Sequence, residues 1–133
     1  MQSSGNPLPA NSVASLPVTA SNDFEAVEGM RVTFPQALVI SEYFNFDRFN
    51  ETLLTSERHL TPTAEFEPGS PAASQAAQDF LLDRITLDDG RTSENPDPTI
   101  HPNGLEFTLA NLFRGGDTLR DVSGVMNYAF GLY

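Results

Sequence analysis

The chain has 133 residues, of which 39% are hydrophobic, so it is long enough for one compact domain with its own core. It contains no cysteine, which excludes disulfide bonds and thiolate metal sites, and its formal net charge of −11 disfavours non-specific binding to nucleic acid. No stretch approaches the roughly 20 apolar residues of a membrane helix, and residues 1–22 lack the basic start and apolar run of a signal peptide. We expect a soluble domain that has no membrane partner.

The first 20 residues are predicted to form a linker, because they combine prolines with many Ser and Asn residues. The folded domain is then expected to span residues 21–133. Ser21 or Asn22 is a suitable cap for one helical turn at the start of this domain. Alternating apolar residues, interrupted by turn formers, then predict short strands at residues 30–34, 38–43, 51–55 and 60–63.

A helix is predicted to begin after Gly69, with Ser70 as its cap and Pro71 at its first position. Its apolar face is expected to consist of residues with helical spacing: Ala73, Ala76, Ala77, Phe80 and Leu81. The predicted elements that follow are a strand at 84–87, a polar loop at 91–104, a turn at 115–117 and a final strand at 122–132.

Five or six strands with one inserted helix are what a small Greek-key barrel of the OB type contains. We therefore expect an all-β domain with one inserted helix, folded as an OB-like barrel. The same periodicity is compatible with other small barrels and with a sandwich.

An acidic segment that starts after the predicted strand at 84–87 is a candidate calcium site. Calcium prefers six to eight oxygen ligands from carboxylates and carbonyls. Beside Glu94, the candidate ligands are Asp88, Asp89, Asn95 and Asp97. The spacing of an EF-hand is absent, and the alternative is a solvated turn in which Asp88 or Asp89 accepts hydrogen bonds from nearby backbone amides. No cofactor is required for folding.

An aromatic segment in the hairpin connection is the candidate nucleic-acid surface. OB domains bind single strands by stacking bases on aromatic rings while arginine contacts the backbone. The candidates are Tyr43, Phe44, Phe46, Arg48, Phe49 and Arg58. The alternative is that these rings fill the core or cover its end.

The sequence carries no complete catalytic motif. His59 and His101 are far apart and belong to no HExxH-type pattern, so we expect both to be surface or turn histidines. Residues 114–117 lack the Lys-Ser/Thr pair of a phosphate-binding loop and are expected to form a turn. The chain alone is therefore not expected to be an enzyme.

The order of several motifs resembles a known family. These motifs are Glu28–Pro35, Arg84–Gly90, Asn95–Pro98, Arg114–Thr118 and Gly124–Tyr133. Together they resemble the OB-like non-catalytic region that precedes an endonuclease/exonuclease/phosphatase-type catalytic domain in large secreted bacterial nucleases. The resemblance covers about Leu16–Tyr133, and it departs from the family at Asp47 and Asn50, which stand where the family has turn glycines.

This resemblance implies an extracellular accessory domain with a scaffold role between domains and assistance in positioning the DNA substrate. Its partners would be the neighbouring domains of the nuclease and single- or double-stranded DNA. Two further classes stay open: a nucleic-acid-binding OB module that uses the aromatic and arginine surface, and a calcium-binding module.

Overall fold

The computed structural model describes residues 7–133, so the first six residues of the predicted linker lie outside the described residues. The described part is a small β-rich domain with two sheets and few helices, and neither sheet closes into a barrel. Its strands are β1 (Ser12–Val13), β2 (Arg31–Thr33), β3 (Leu38–Glu42), β4 (Thr52–Thr55), β5 (Ile85–Leu87), β6 (Thr118–Leu119) and β7 (Ser123–Val125). A 3-10 helical turn spans Asp23–Val27, and the α-helices are α1 (Phe46–Phe49), α2 (Pro62–Glu65) and α3 (Pro71–Leu82).

The two sheets share one hydrophobic core. The first sheet has the order β1-β2-β7, with β1 parallel and β7 antiparallel to β2, and the second has the order β5-β4-β3-β6 with antiparallel pairs. Val32 from the first sheet and Leu38, Ile40, Leu54 and Ile85 from the second belong to the same buried cluster. The alternation that predicts the strands therefore also selects the side chains that join the sheets.

The start of the folded domain differs from the prediction. Ser12 and Val13 pair with β2, and Ala14 and Leu16 are buried in the core. The side-chain amide of Gln36 donates to the Leu16 carbonyl at 2.7 Å and its oxygen accepts from the Leu16 amide at 3.2 Å. The prediction of a linker up to residue 20 is thus corrected, because alternating apolar residues in this proline-rich segment enter the core.

The helical turn after residue 22 is confirmed, but its predicted cap is not used. The side chain of Asn22 makes no capping hydrogen bond. Instead, the carboxylate of Asp23 accepts hydrogen bonds from the hydroxyl and amide of Thr19 and from the amide of Ala20. These bonds, led by the Thr19 hydroxyl, hold the pKa of Asp23 below its ordinary value.

The strands β2 to β5 lie within the predicted ranges, and β3 and β4 form the predicted hairpin. The hairpin connection between β3 and β4 contains the short helix α1. The predicted strand at residues 60–63 is wrong. Residues 60–63 do not extend the sheet, because Pro62 begins helix α2. Proline at the first turn of a helix loses no hydrogen bond, whereas within a sheet it would remove one.

Helix α3 begins as predicted, and only part of its predicted apolar face is covered. The Ser70 hydroxyl accepts a hydrogen bond from the Ala73 amide at 3.2 Å, and Pro71 is the first helical residue. Ala73 is buried and Phe80 is half-buried, whereas Leu81 is exposed. The helix therefore lies on the domain surface along a narrow stripe.

The predicted final strand is wrong beyond residue 125. Strand β7 ends at Val125, and Ala129 and Leu132 exchange hydrogen bonds of 3.0 and 2.9 Å around a tight turn. Phe130 and Gly131 at the turn have positive φ angles of 52° and 84°, which no strand can accommodate. Phe130 is fully exposed, so it is not part of an inward-facing row. Within residues 7–133, no helix has the length and apolarity that crossing a membrane requires.

Candidate functional site

The structure separates the six residues predicted to form a nucleic-acid surface. Phe46 is buried, and its ring meets those of Phe113 and Phe107 edge-to-face, with centroids 4.8 and 5.0 Å apart. His101 and Tyr43 also pack against Phe113, at 5.3 and 5.6 Å. These five residues are named the aromatic cluster below. Phe46 therefore contributes to packing and offers no stacking face.

The other candidates for the nucleic-acid surface are either exposed to solvent or in contact with neighbouring side chains. Tyr43 and Phe44 are 50% and 83% exposed. Arg48 lies over the ring of Phe49 at 4.9 Å and pairs with Glu94 at 2.8 Å. Arg58 is exposed in the connection between β4 and α2.

The acidic segment folds into turns that use its carboxylates internally. The Gly90 amide donates to Asp88 at 3.2 Å, and the Arg91 amide donates to Asp89 at 2.9 Å. Burial raises the pKa of Asp88, against the hydrogen bond from Gly90, and repulsion from Asp89 adds to this effect. The amide of Asn95 donates to the Arg48 carbonyl at 2.7 Å.

The acidic residues of the candidate calcium site can be compared with the clusters that hold metal ions. Across residues 7–133, Asp88, Asp89 and Asp97 belong to no group of three or more His, Asp or Glu side chains that could hold a metal ion. Among the described residues, one buried oxygen of Asp89 has no hydrogen-bond partner, and it lies 3.5 Å from the guanidinium of Arg91. The observed arrangement is that of side-chain-to-backbone turns.

The two histidines are more buried than a surface position would be. His59 donates from Nε2 to the buried carboxylate of Asp83 at 2.6 Å, and its ring packs against Phe80 at 5.4 Å. His101 is buried, and its Nδ1 accepts a hydrogen bond from the Asn103 amide at 2.9 Å. His101 nevertheless lies in a turn, as predicted, because its carbonyl accepts a hydrogen bond from the Gly104 amide at 2.8 Å. For His59 the prediction is wrong, because Asp83 and Phe80, which are distant in sequence, partly cover its ring.

A groove of about 290 Å³ lies beside the 3-10 turn, the start of β5 and the last residues of the chain. Its main lining residues, named the aromatic groove below, are Phe24, Glu25, Arg84, Tyr128 and Tyr133. The ring of Tyr133 lies 4.8 Å from that of Tyr128 and 5.6 Å from that of Phe24. This site could not be predicted from the sequence, because its residues come from three distant segments.

Some of the polar groups in the aromatic groove form hydrogen bonds with each other, and others do not. The Tyr133 hydroxyl donates to Glu25 at 2.9 Å, and burial together with this bond raises the pKa of Tyr133 to about 12. The hydroxyl therefore keeps its proton at neutral pH. Among the described residues, Arg84 forms no ion pair and no side-chain hydrogen bond, although it is half-buried.

A smaller cavity of about 140 Å³ lies next to the acidic segment and is lined by Asn50, Asp88, Asp89 and His101 among others. Asn50 has a positive φ of 61° and binds the backbone of Ile100 twice. Its oxygen accepts from the Ile100 amide at 2.7 Å and its amide donates to the Ile100 carbonyl at 2.8 Å. This cavity is therefore part of the contact between the hairpin and the polar loop.

Residues 10–133 match the model of a family that is described as a domain of unknown function (DUF8508). No curated protein and no solved structure matches the chain. The matched range includes every residue of the aromatic cluster and of the aromatic groove.

Proposed function

We propose that this chain, which belongs to the DUF8508 family, is the OB-like, non-catalytic accessory domain of an extracellular bacterial nuclease and packs against that nuclease's catalytic domain. The order of the five motifs supports the nuclease assignment. The OB-like assignment is supported by the antiparallel sheet β5-β4-β3-β6, in which helix α3 connects β4 to β5. An inserted helix between strands of a small sheet is part of the OB pattern.

One observation carries the packing role: a loop of this acidic domain exposes several large apolar side chains. Residues 105–112, named the leucine loop below, lie within the long connection from β5 to β6 and include Leu105, Leu109 and Leu112. Leu109 is 94% exposed, and the other two leucines are more than half exposed. Clustered apolar residues in an exposed loop are typical of a contact surface.

The charge of the domain favours a protein partner over a phosphate backbone. The net charge is −11, and the long-range field therefore repels nucleic acid. Arg48, one of the two arginines predicted to contact the nucleic-acid backbone, pairs with Glu94 at 2.8 Å. An apolar loop on an acidic domain suits a neighbouring protein surface.

The proposal is tested by titrating the isotope-labelled chain with a catalytic domain of the proposed nuclease type, with NMR detection. We expect saturable changes in the methyl signals of the leucine loop, and weakened binding after Leu109→Ser with Leu112→Ser. Leu8→Ser is a matched control, because Leu8 is also exposed and lies far from this loop in sequence. Absence of binding, or cleavage of DNA by the chain alone, would overturn the proposal.

A second candidate is a nucleic-acid-binding module, which is favoured by the exposed rings of Tyr43 and Phe44. Its test is a titration with fluorescent single-stranded DNA at low salt. A Kd well below the roughly 100 µM of non-specific binding, which weakens in Phe44→Ala, would support this candidate. Phe46→Ala is unsuitable as a binding variant, because Phe46 is a core residue of the aromatic cluster.

A further inference from the structure

We propose that the aromatic groove binds one unpaired guanine base. This inference extends the proposed function, since a base held on the accessory domain would position a single-stranded part of the nuclease's substrate. Three observations support it: the shape of the groove, its aromatic rings, and the side chains of Glu25 and Arg84. Among the described residues, these two charged side chains line the groove without forming an ion pair with each other.

The groove has the size and surface for one flat ring system. Its volume of about 290 Å³ lies at the lower end of the roughly 300–1,000 Å³ of small-molecule sites. Tyr128 is half exposed, and its ring leans on that of Tyr133 at 4.8 Å. Tyr133 is in turn fixed against Phe24. An aromatic ring held in this way can stack a nucleobase without losing much conformational entropy on binding.

The two charged groups of the groove require a ligand with both donors and acceptors. Within the part of the chain that the structure describes, Glu25 and Arg84 line the same groove but form no ion pair with each other. One oxygen of Glu25 accepts from Tyr133, and its second oxygen can accept a further hydrogen bond. Arg84 offers its guanidinium donors.

Guanine matches these requirements better than the other bases. Its N1–H and N2–H₂ groups are donors that suit a carboxylate, and its O6 and N7 atoms are acceptors that suit an arginine. Adenine lacks the adjacent pair of donors, and the pyrimidines lack the N7 acceptor. Guanine itself carries no charge, so its contacts within the groove do not oppose the net charge of −11.

The test is an NMR titration of the isotope-labelled chain with deoxyguanosine, a nucleoside without phosphate. We expect saturable shifts at Arg84, Tyr128 and Tyr133, and at least tenfold weaker binding of deoxyadenosine, deoxycytidine and thymidine. Arg84→Gln and Glu25→Gln should each weaken binding at least tenfold, whereas Tyr128→Phe should retain it. Arg120→Gln and Glu106→Gln are matched controls, since both residues are exposed and lie outside the groove.

Three outcomes would overturn the inference: no saturable shifts in the groove, equal binding of all four nucleosides, or unchanged binding in Arg84→Gln. L-Phenylalanine serves as a competing probe, because a zwitterionic amino acid also presents a donor and an acceptor. Its binding in place of deoxyguanosine would assign the groove to amino acids or peptides instead. The leucine-loop titration is independent of this one, so the docking role can fail or hold separately.

Discussion

Asp83 places a carboxylate in the interior of the domain, where only hydrogen bonds can offset the loss of water. The Ser56 amide donates to one oxygen at 3.0 Å, and His59 donates to the other at 2.6 Å. Because Asp83 follows the last residue of α3, these bonds connect the end of the helix to the chain that leaves β4. The residue thus has a structural role that its position in the sequence did not reveal.

Replacing Asp83 with Ala should lower the free energy of unfolding by about 1–3 kcal/mol, because it leaves a buried amide and a half-buried imidazole without a partner. Urea denaturation measures this change. The matched control is Asp79→Ala in α3, because the Asp79 carboxylate makes only an exposed hydrogen bond to Gln75. This substitution should change the free energy of unfolding by less than about 0.5 kcal/mol. Equal losses of unfolding free energy in the two variants would show that Asp83 has no special structural role.

Asn50 combines a left-handed backbone with two hydrogen bonds to Ile100. Asn50→Gly keeps the backbone conformation but loses both bonds, so we expect a destabilisation of about 1–3 kcal/mol. Asn95→Gly is the control, since Asn95 also has a positive φ, of 53°, but no side-chain hydrogen bond with the described residues. Thermal unfolding of both variants separates the effect of the backbone from that of the amide bonds.

Asp88 makes stability depend on pH. Its pKa is raised above the ordinary 3.8, chiefly by burial. A carboxyl with a raised pKa in the folded chain favours folding when protonated, and this contribution is lost as the pH rises through the folded value. The carboxyl is only partly buried, so Asp88→Asn should be the more stable chain at pH 7 by only roughly 0.2–0.5 kcal/mol, and the gain should vanish near pH 3. Urea titrations at both pH values measure it, and an equal gain at both would exclude the charge as its cause.

At the scale of elements, helix α3 depends on its N-cap residue, Ser70. The Ser70 hydroxyl satisfies the Ala73 amide, one of the donors that a helix start leaves open. Ser70→Ala should cost about 1 kcal/mol of stability, measured by urea denaturation. Ser74→Ala is the control, because the Ser74 hydroxyl makes only an exposed bond back to the Ser70 carbonyl. A larger loss in Ser74→Ala than in Ser70→Ala would contradict the capping role.

Elements with a local chemical cause could be predicted from the sequence. The start of α3 follows from Ser70 and Pro71, and β2 follows from the alternation around Val32, since both signals lie within a few residues. The prediction of the final strand was wrong because its local pattern does not report the backbone conformation. Residues 122–132 alternate as a strand does, but the turn at Phe130 and Gly131 requires positive φ angles that alternation does not report.

The candidate sites could be predicted only in part, because tertiary contacts decide them. The sequence around Phe46 would be the same whether its ring stacked a base or filled the core. Only the contacts of this ring with Phe113 and Phe107 show that it fills the core. In the aromatic groove, Glu25 and Tyr133 are 108 residues apart in sequence. No local spacing rule joins such residues.

At the scale of the whole molecule, unbalanced charge is the main feature. The chain has eighteen acidic residues and only seven arginines. In residues 7–133, Arg48 and Arg91 are the only arginines within ion-pair distance of an acidic side chain. Like charges held close in a folded chain repel one another more than in an unfolded one. Added salt screens this repulsion, because the Debye length falls from roughly 10 Å at 0.1 M to 3 Å at 1 M.

Raising NaCl from 50 to 500 mM should therefore increase the Tm by about 2–4 °C, the shift that roughly 1 kcal/mol produces in a domain of this size. Scanning calorimetry measures it. The double variant Glu65→Gln with Glu67→Gln removes two exposed charges around the end of α2, so it should melt higher at low salt and gain less from added NaCl. A Tm that falls with salt would instead show that the ion pairs of Arg48 and Arg91 outweigh the repulsion, because salt weakens exposed pairs as well.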